Sequence, residues 1–234
     1  MNLILLEPSE LNEGRASLSD ARAEHLRTFL HAAPGSTFRV GLVDGACGTA
    51  TVTAVSPEAV DFTVALGEEA LPPWYDLILA LPRPRSLKRI LFQSAAMGVR
   101  NIFLCGAEKV EKSYFSMHLL REEEYRPVLI EGMMQAKTTA LPKVVVVPKL
   151  RDLWAQLPAD ATARYIANPA PQGEALRGTG FPIIAVGPDG GWTEKETARF
   201  LEEGFQPITL GPRPLRTDTA AIALPAVLQD RLAR

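Results

Sequence analysis

Two loops of the same build, carried between Phe181 and Gln229, constrain this chain more than any other stretch. The first follows Ile183-Ile184-Ala185-Val186, a short apolar run that reads as a buried strand. It continues Gly187-Pro188-Asp189-Gly190-Gly191-Trp192-Thr193-Glu194, where the glycines permit positive φ and close backbone approach. Thr193 with Glu196 fits a capping box, and Glu194 and Glu196 suit the positive end of a helix. It is not a P-loop, because no Gly-Lys-Ser/Thr closes it, and the glycine spacing is wrong for a dinucleotide fingerprint. The second loop follows a strand expected over Pro207 to Leu210 and reads Gly211-Pro212-Arg213-Pro214-Leu215-Arg216. Thr217 or Asp218 can then cap a helix through Ala220, Ala221, Ile222, Leu224 and Leu228. Arg216 sits at that helix start, where the dipole disfavours a cation, so it suggests an anionic or polarisable partner. Turn-making glycines and a solvated Arg216 would account for either loop alone. Two such loops at strand ends of an α/β pattern point to a ligand crevice.

Val-Gly-Pro-Asp-Gly-Gly-Trp-Thr-Glu (186–194), followed by Leu-Gly-Pro-Arg-Pro-Leu-Arg-Thr-Asp-Thr-Ala (210–220), resembles the RsmE family of ribosomal RNA methyltransferases. Looser similarity covers nearly the whole chain. The resemblance implies a SPOUT-superfamily domain: an α/β, mainly parallel, trefoil-knotted sheet with helices on both faces, preceded by a small PUA-like β-barrel. It implies methylation of N3 of a uridine in small-subunit rRNA, with S-adenosylmethionine as cofactor. It also implies that the C-terminal helix threads the loop ending near Gly187. The cofactor would lie among three loops, here Ala167–Pro169, Gly187–Trp192 and Leu210–Thr217. The positions carried over for it are Ala167, Gly187, Pro188, Gly190, Gly191, Leu210, Gly211, Leu215, Thr217 and Thr219. Asp189 and Asp218 stand where the family usually has glutamate.

The chain's 234 residues suffice for one large or two small domains. Hydrophobic residues make up 47% and charged residues 22%, which suits a globular protein and not a disordered one. No apolar run approaches the ~18 residues of a membrane span. The first residues lack the basic segment of a signal peptide, so a strand in a cytoplasmic protein is expected. Cys47 and Cys105 fall in different segments and the three histidines are scattered, so neither a disulfide framework nor a metal site is expected.

Charge is unevenly distributed. Residues 1–70 hold four Lys+Arg against ten Asp+Glu, and residues 71–234 hold 21 against 17. No acidic residue falls between Asp76 and Glu108, but Arg83, Arg85, Lys88, Arg89 and Arg100 do. That local basic face could hold phosphates, or could be a solvated helix start.

In residues 1–70, strands are expected at Leu3–Leu6, Thr37–Val43, Cys47–Val55 and Ala59–Leu66, and a helix at Leu18–His31. Asp44-Gly45 marks a hairpin turn. This pattern suggests a compact barrel, PUA-like and RNA-binding by the resemblance. His25 and His31 are expected to be structural or solvent-facing. Family members often carry an arginine near the chain start; Asn2 stands here instead. Glu68-Glu69-Ala70-Leu71-Pro72-Pro73 reads as a stiff linker.

In residues 71–234, strands are expected at Leu77–Leu81, Val99–Leu104, Val144–Val147 (buried) and Tyr165–Ala167, besides those before the two loops. Helices are expected at Leu87–Met97, Glu122–Lys137 and Lys149–Gln156, with a basic loop over Pro82–Ser86. Strands alternating with helices mean a mainly parallel sheet. Pattern alone gives an unknotted doubly wound sheet, and the knot comes only from the resemblance. Further departures from the family fall at Gln93, Ala96 and Thr138. Gln135 matches a family position, while Lys137 stands one position before a family arginine, and a point charge cannot copy a bidentate guanidinium.

Uracil N3 carries a proton, so methyl transfer needs its anion stabilised beside the methyl donor. Arg216 is the candidate cation, and Asp218 a weaker candidate base, with solvent or a second subunit as the other sources. Arg83, Arg85, Lys88, Arg89, Gln135 and Lys137 are the candidate contacts to the RNA substrate, small-subunit rRNA free or assembled. The family implies a homodimer. Two alternatives stay open: a noncatalytic RNA-binding protein that keeps the fold, and a nucleotide-binding α/β enzyme without an RNA partner.

Overall fold

The computed structural model describes residues 2–161, 163–168 and 181–232. It separates into two compact units, Met1–Pro72 with Met133–Leu141, and Pro73–Gly132 with Pro142–Arg234.

The first unit contains β1 (Ile4–Leu6), β2 (Arg15–Leu18), α1 (Ala21–Thr28), β3 (Thr37–Leu42), β4 (Cys47–Val55) and β5 (Val60–Glu68). They form one curled sheet of order β1-β3-β4-β5-β2, antiparallel except where β1 meets β3. In β2 burial alternates, Ala16 and Leu18 inward and Arg15 and Ser17 outward, as a half-buried strand requires. Leu18, Val40, Val52 and Phe62 close a core over which α1 lays Ala23 and Leu26. A register shift between Val52 and Ala54 bends the long β4–β5 pair. Met133–Leu141 belong here too. Thr139 donates its hydroxyl to the Gly45 carbonyl at 2.7 Å, and Leu141 donates its N–H to Asp44 Oδ1 at 2.8 Å.

The helix expected over Leu18–His31 is shorter and later. Leu18 ends a strand, the Asp20 carboxylate caps the helix by accepting from Arg22 N at 2.9 Å, and His31 lies outside at φ 49°. A buried strand next to the cap claimed Leu18, whose apolarity fits both patterns.

The second unit contains β6 (Tyr75–Ala80), α2 (Pro84–Ala96), β7 (Val99–Cys105), α3 (Glu122–Ala136), β8 (Lys143–Val147), β9 (Ala163–Ala167), β10 (Pro182–Val186), α4 (Glu194–Glu202), β11 (Gln206–Ile208) and α5 (Thr217–Leu232). α3 begins in this unit and ends in the first. The sheet is wholly parallel, in the order β11-β9-β10-β6-β7-β8. β6 and β10, at its centre, are buried along their whole length, which is why β10, and β6 beyond Asp76, read as continuous apolar runs. On one face Ile78, Phe103, Ile183 and Ala185 pack with Leu153, Phe200 and Phe205. The other face meets α2 and α5. The chain runs outward from β6 to β8 and then returns to the other side through β9, β10 and β11. The order therefore reverses beside β6 and β10, and the carboxyl ends there open a crevice.

Asp76, fully buried on β6, accepts from Arg100 at 2.6 and 3.1 Å and from the Asn101 backbone and side chain at 3.1 and 2.8 Å. Arg100 also bonds Asp160 and stacks over Phe181 at 3.8 Å. These carboxylates, Asp76 first, raise the guanidinium's pKa above its already high ordinary value.

Several expected elements are corrected. α2 starts at Pro84 inside the expected basic loop, since proline is tolerated in a first helical turn. The expected helix Lys149–Gln156 is two single 3-10 turns, Leu150–Asp152 and Trp154–Gln156. Among the described residues β8 is an edge strand paired only with β7, so Val146 is exposed and only Val147 is buried; its β-branched run did not mean full burial. β11 ends at Ile208, before Thr209, whose hydroxyl holds the turn at Gly211.

Candidate functional site

The carboxyl ends of β9, β10 and β11 and the start of α5 enclose a cavity of about 330 Å³. Ala167 and Asn168 line one side, the loop 187–192 the second, residues 209–211 and 213–215 the third, and Thr217, Ala220 and Leu224 the base. Pro169, the last residue of the first expected loop, lies outside the described residues.

The loop after β10 is built by close backbone contact. Gly191, at φ 67°, donates its N–H to the Pro188 carbonyl at 2.8 Å. A Cβ on Gly187 would stand 3.1 Å from the Trp192 backbone nitrogen and indole. The Trp192 ring packs on Phe200 at 4.8 Å, and its buried Nε1 has no hydrogen-bond partner among the described residues. The expected capping box is formed: Glu196 N donates to Thr193 Oγ1 at 3.3 Å and Thr193 N to Glu196 Oε2 at 2.8 Å. Glu196 Oε1 also accepts from Glu108 N at 2.7 Å, and Lys109 Nζ donates to the Gly190 carbonyl at 2.7 Å, so the segment after β7 braces this loop.

The loop after β11 turns at Gly211, whose φ of 112° a side chain would strain. The two loops are tied together. Thr217 Oγ1 lies 3.0 Å from the Gly187 carbonyl oxygen and 3.1 Å from Asp189 Oδ1. Two ion pairs reach them from the start of α2, Arg83 to Asp189 at 3.1 Å and Arg89 to Asp218 at 3.2 Å. No acidic residue occupies the first turn of α2.

Of the expected cofactor positions, all but Thr219 line the cavity; Thr219 is exposed on α5. Arg216 is exposed and off the lining, whereas Arg213, in the same expected loop, is on it. Asp218 is buried and engaged with Arg89 and with the Thr219 N–H at 3.0 Å. Arg85, Lys88 and Arg89 rim a separate groove floored by Phe92, Leu119 and Val128. Gln135 and Lys137 belong to the first unit, where the Gln135 carbonyl accepts from Asn2 Nδ2 at 2.9 Å and Lys137 ends α3 at φ 60°. Asp189 and Trp192, inside the expected loop Gly187–Trp192, line the cavity as well, while Thr197, Ala220 and Leu224 line it from outside the three expected loops.

Burial pushes the Cys105 thiol far up, and burial likewise raises Cys47, so neither supplies a thiolate nucleophile. Among the described residues no group of three or more His, Cys, Asp or Glu is placed to hold a metal, and no helix is long and apolar enough to cross a membrane.

A profile for an RNA methyltransferase domain matches residues 69–229. A protein named ribosomal RNA small subunit methyltransferase E, from Treponema pallidum (strain Nichols), is 34% identical over 97% of this chain and 90% of its own length. The chain belongs to this RNA methyltransferase family. Ribosomal RNA small subunit methyltransferase E 1 of Borreliella burgdorferi (strain ATCC 35210 / DSM 4680 / CIP 102532 / B31) is 28% identical over 99% of both chains. The crystal structure of a ribosomal RNA small subunit methyltransferase E from Neisseria gonorrhoeae, bound to S-adenosyl methionine, matches this fold with a TM-score of 0.80 at 25% identity, over 99% of this chain and 98% of that one. The parallel sheet with helices on both faces and the curled N-terminal sheet are thus the fold of this methyltransferase family.

Proposed function

We propose that this protein transfers a methyl group from S-adenosylmethionine to N3 of one uridine in small-subunit ribosomal RNA. The observation that carries it is the convergence of the loops 187–192 and 209–215 on one cavity, in a chain of this family. The cavity suits the cofactor. Its walls are largely backbone and apolar side chain, and a sulfonium needs no phosphate cradle. The buried Trp192 Nε1 has no partner among the described residues, and a Cβ on Gly187 would crowd the Trp192 that lines the cavity. The backbone of Gly187–Gly191 and Leu210–Gly211 would hold it, with Ala167, Leu215 and Thr217 at the sides. When bound, the cofactor supplies an electrophilic methyl.

The protein's own part is positioning and charge. Arg213 on the lining and Arg216 immediately before α5 are the cations proposed to stabilise the uracil anion at O2 or O4. Asp189 lines the cavity, but its oxygens are engaged by Arg83 and Thr217. The N3 proton is therefore assigned to solvent. Arg83, Arg85, Lys88 and Arg89 would meet RNA phosphates, with Gln135 and Lys137 contributing from the first, PUA-like unit. A homodimer and a knotted passage of α5 belong to the same reading.

Deleting the gene in its host and mapping modified uridines in the small-subunit rRNA by mass spectrometry tests the proposal. One 3-methyluridine should vanish and return on complementation; its persistence in the deletion strain sinks the reading.

A further inference from the structure

The second unit has another crevice, at the carboxyl ends of β7 and β8, that the methyl-transfer reading leaves unused. It measures about 680 Å³, twice the cavity at β9–β11. Its walls carry five cations, Lys112, Lys149, Arg151, Lys195 and Arg199, against two carboxylates, Glu108 and Glu196. Glu196 is buried, and both its oxygens already accept backbone N–H groups. Arg199 is paired with Glu202 and Glu203, and Arg151 lies 3.6 Å from Asp152. Lys112, Lys149 and Lys195 are exposed, and among the described residues none of them makes an ion pair. Three unneutralised ammonium groups around one concavity attract a polyanion.

Two aromatic rings stand among these cations. Phe115 and Trp154 both line the crevice, and Arg199 lies 5.4 Å from the Trp154 ring centroid. The floor is rigid: a Cβ on Gly106 would fall 2.1 Å from the Pro148 carbonyl oxygen, so the two strand ends are in backbone contact. Cations alternating with aromatic faces in an open groove are the arrangement that holds single-stranded nucleic acid, phosphates on the cations and bases on the rings. A protein ligand would need acceptors matched to three scattered ammonium groups, whereas a phosphate chain supplies one every nucleotide. The crevice is also linked to the cofactor loop, through Glu196 and through the ring contacts Trp192–Phe200 and Phe200–Trp154, at 4.8 and 5.0 Å.

We propose that this crevice binds a single-stranded segment of RNA, its phosphates on Lys112, Lys149 and Lys195 and one base against Phe115. This rests on the RNA-methyltransferase reading and adds a second contact region to the α2 face.

The test uses the full chain and a fluorescently labelled single-stranded oligouridine, read by anisotropy across a salt series. The triple variant Lys112→Ala/Lys149→Ala/Lys195→Ala should lose at least ~10-fold in affinity, and its slope of log K against log salt should shrink by about 2. Phe115→Leu should lose ~5-fold or more with an unchanged slope, because stacking is lost and no charge is removed. Calorimetry with S-adenosylmethionine should give wild-type affinity for both variants, which also shows that they fold. Unaltered RNA affinity and slope in the triple variant overturn the inference, as does a wild-type chain that binds no oligouridine. Unaltered RNA binding with weakened binding to assembled small subunits would replace the RNA strand by an acidic protein surface. The methylation reading fails separately, by absence of methyl transfer from wild-type protein to small-subunit RNA.

Discussion

The Thr217 hydroxyl lies 3.0 Å from the Gly187 carbonyl oxygen, so the first turn of α5 is pinned to the end of β10. A single proton there serves two acceptors, Gly187 O and Asp189 Oδ1. Thr217 is buried, so removing the hydroxyl leaves the Gly187 carbonyl short of a donor at a site that little water reaches, while the exposed Asp189 can turn to water and keeps Arg83. Thr217→Val keeps the shape and should cost about 1–3 kcal/mol in denaturant unfolding, with weaker S-adenosylmethionine binding by calorimetry. Thr217→Ser should keep most of both. Equal stability of the valine variant and wild type would show the bond to be incidental.

Gly187 tests the cavity wall from the other side. An added methyl would meet the Trp192 backbone nitrogen at 3.1 Å, and a backbone atom yields less easily than a side-chain tip. Gly187→Ala should therefore shift the loop, costing about 1–3 kcal/mol by overpacking. Cofactor affinity should fall by ~10-fold or more, on the scale of one displaced contact set. Calorimetry on a variant that still shows a wild-type circular dichroism spectrum measures it, and unchanged affinity would place the cofactor away from this wall.

Much of this architecture could be read from residue order. β6 and β10 were visible because a central parallel strand is apolar on both faces. The capping box at Thr193 and Glu196 was visible because it is purely local. The paired loops were visible because only glycine tolerates the conformations and approaches they need. What escaped depends on distant partners. Val144–Val147 carries the composition of a buried strand yet lies at the sheet edge, and no local pattern reports how many neighbours a strand has. Leu18 fits a helix face or a strand, and only the barrel core decides. Arg213 and Arg216 are three apart in one loop, and which of them faces the cavity depends on the turn at Gly211.

Arg100 is the counter-charge of Asp76, a fully buried carboxylate on the central strand β6. Breaking a buried pair from one side strands the other charge. Arg100→Ala should thus cost about 3–5 kcal/mol, read as a lower urea midpoint, even though Arg100 itself is partly exposed. Asp160→Ala removes only the exposed partner of the same guanidinium and should leave the midpoint almost unmoved. Equal effects of the two variants would show that Asp76 does not depend on Arg100.

In the first unit, Arg22 holds two carboxylates and donates to the Leu5 carbonyl at 2.6 Å. Burial raises the Glu10 carboxyl, but bonds from the Arg22 guanidinium and the Glu7 N–H outweigh it and hold the pKa below the usual range. Asp20 is lowered in the same way, burial being outweighed by the Arg22 side-chain and backbone bonds. A depressed carboxylate contributes stability that is complete above its unfolded value and lost as pH falls through its folded one. With ordinary values of 4.5 for Glu10 and 3.8 for Asp20, the contribution should be full at neutral pH and decline below those values. Both groups are largely solvent-screened, so the loss should be at most about 1 kcal/mol. Arg22→Ala should lower stability at pH 7 and flatten its fall between about pH 5 and pH 3, as measured by urea unfolding across that range. A variant curve parallel to the wild-type curve would mean that these carboxylates titrate alike in the folded and unfolded chain.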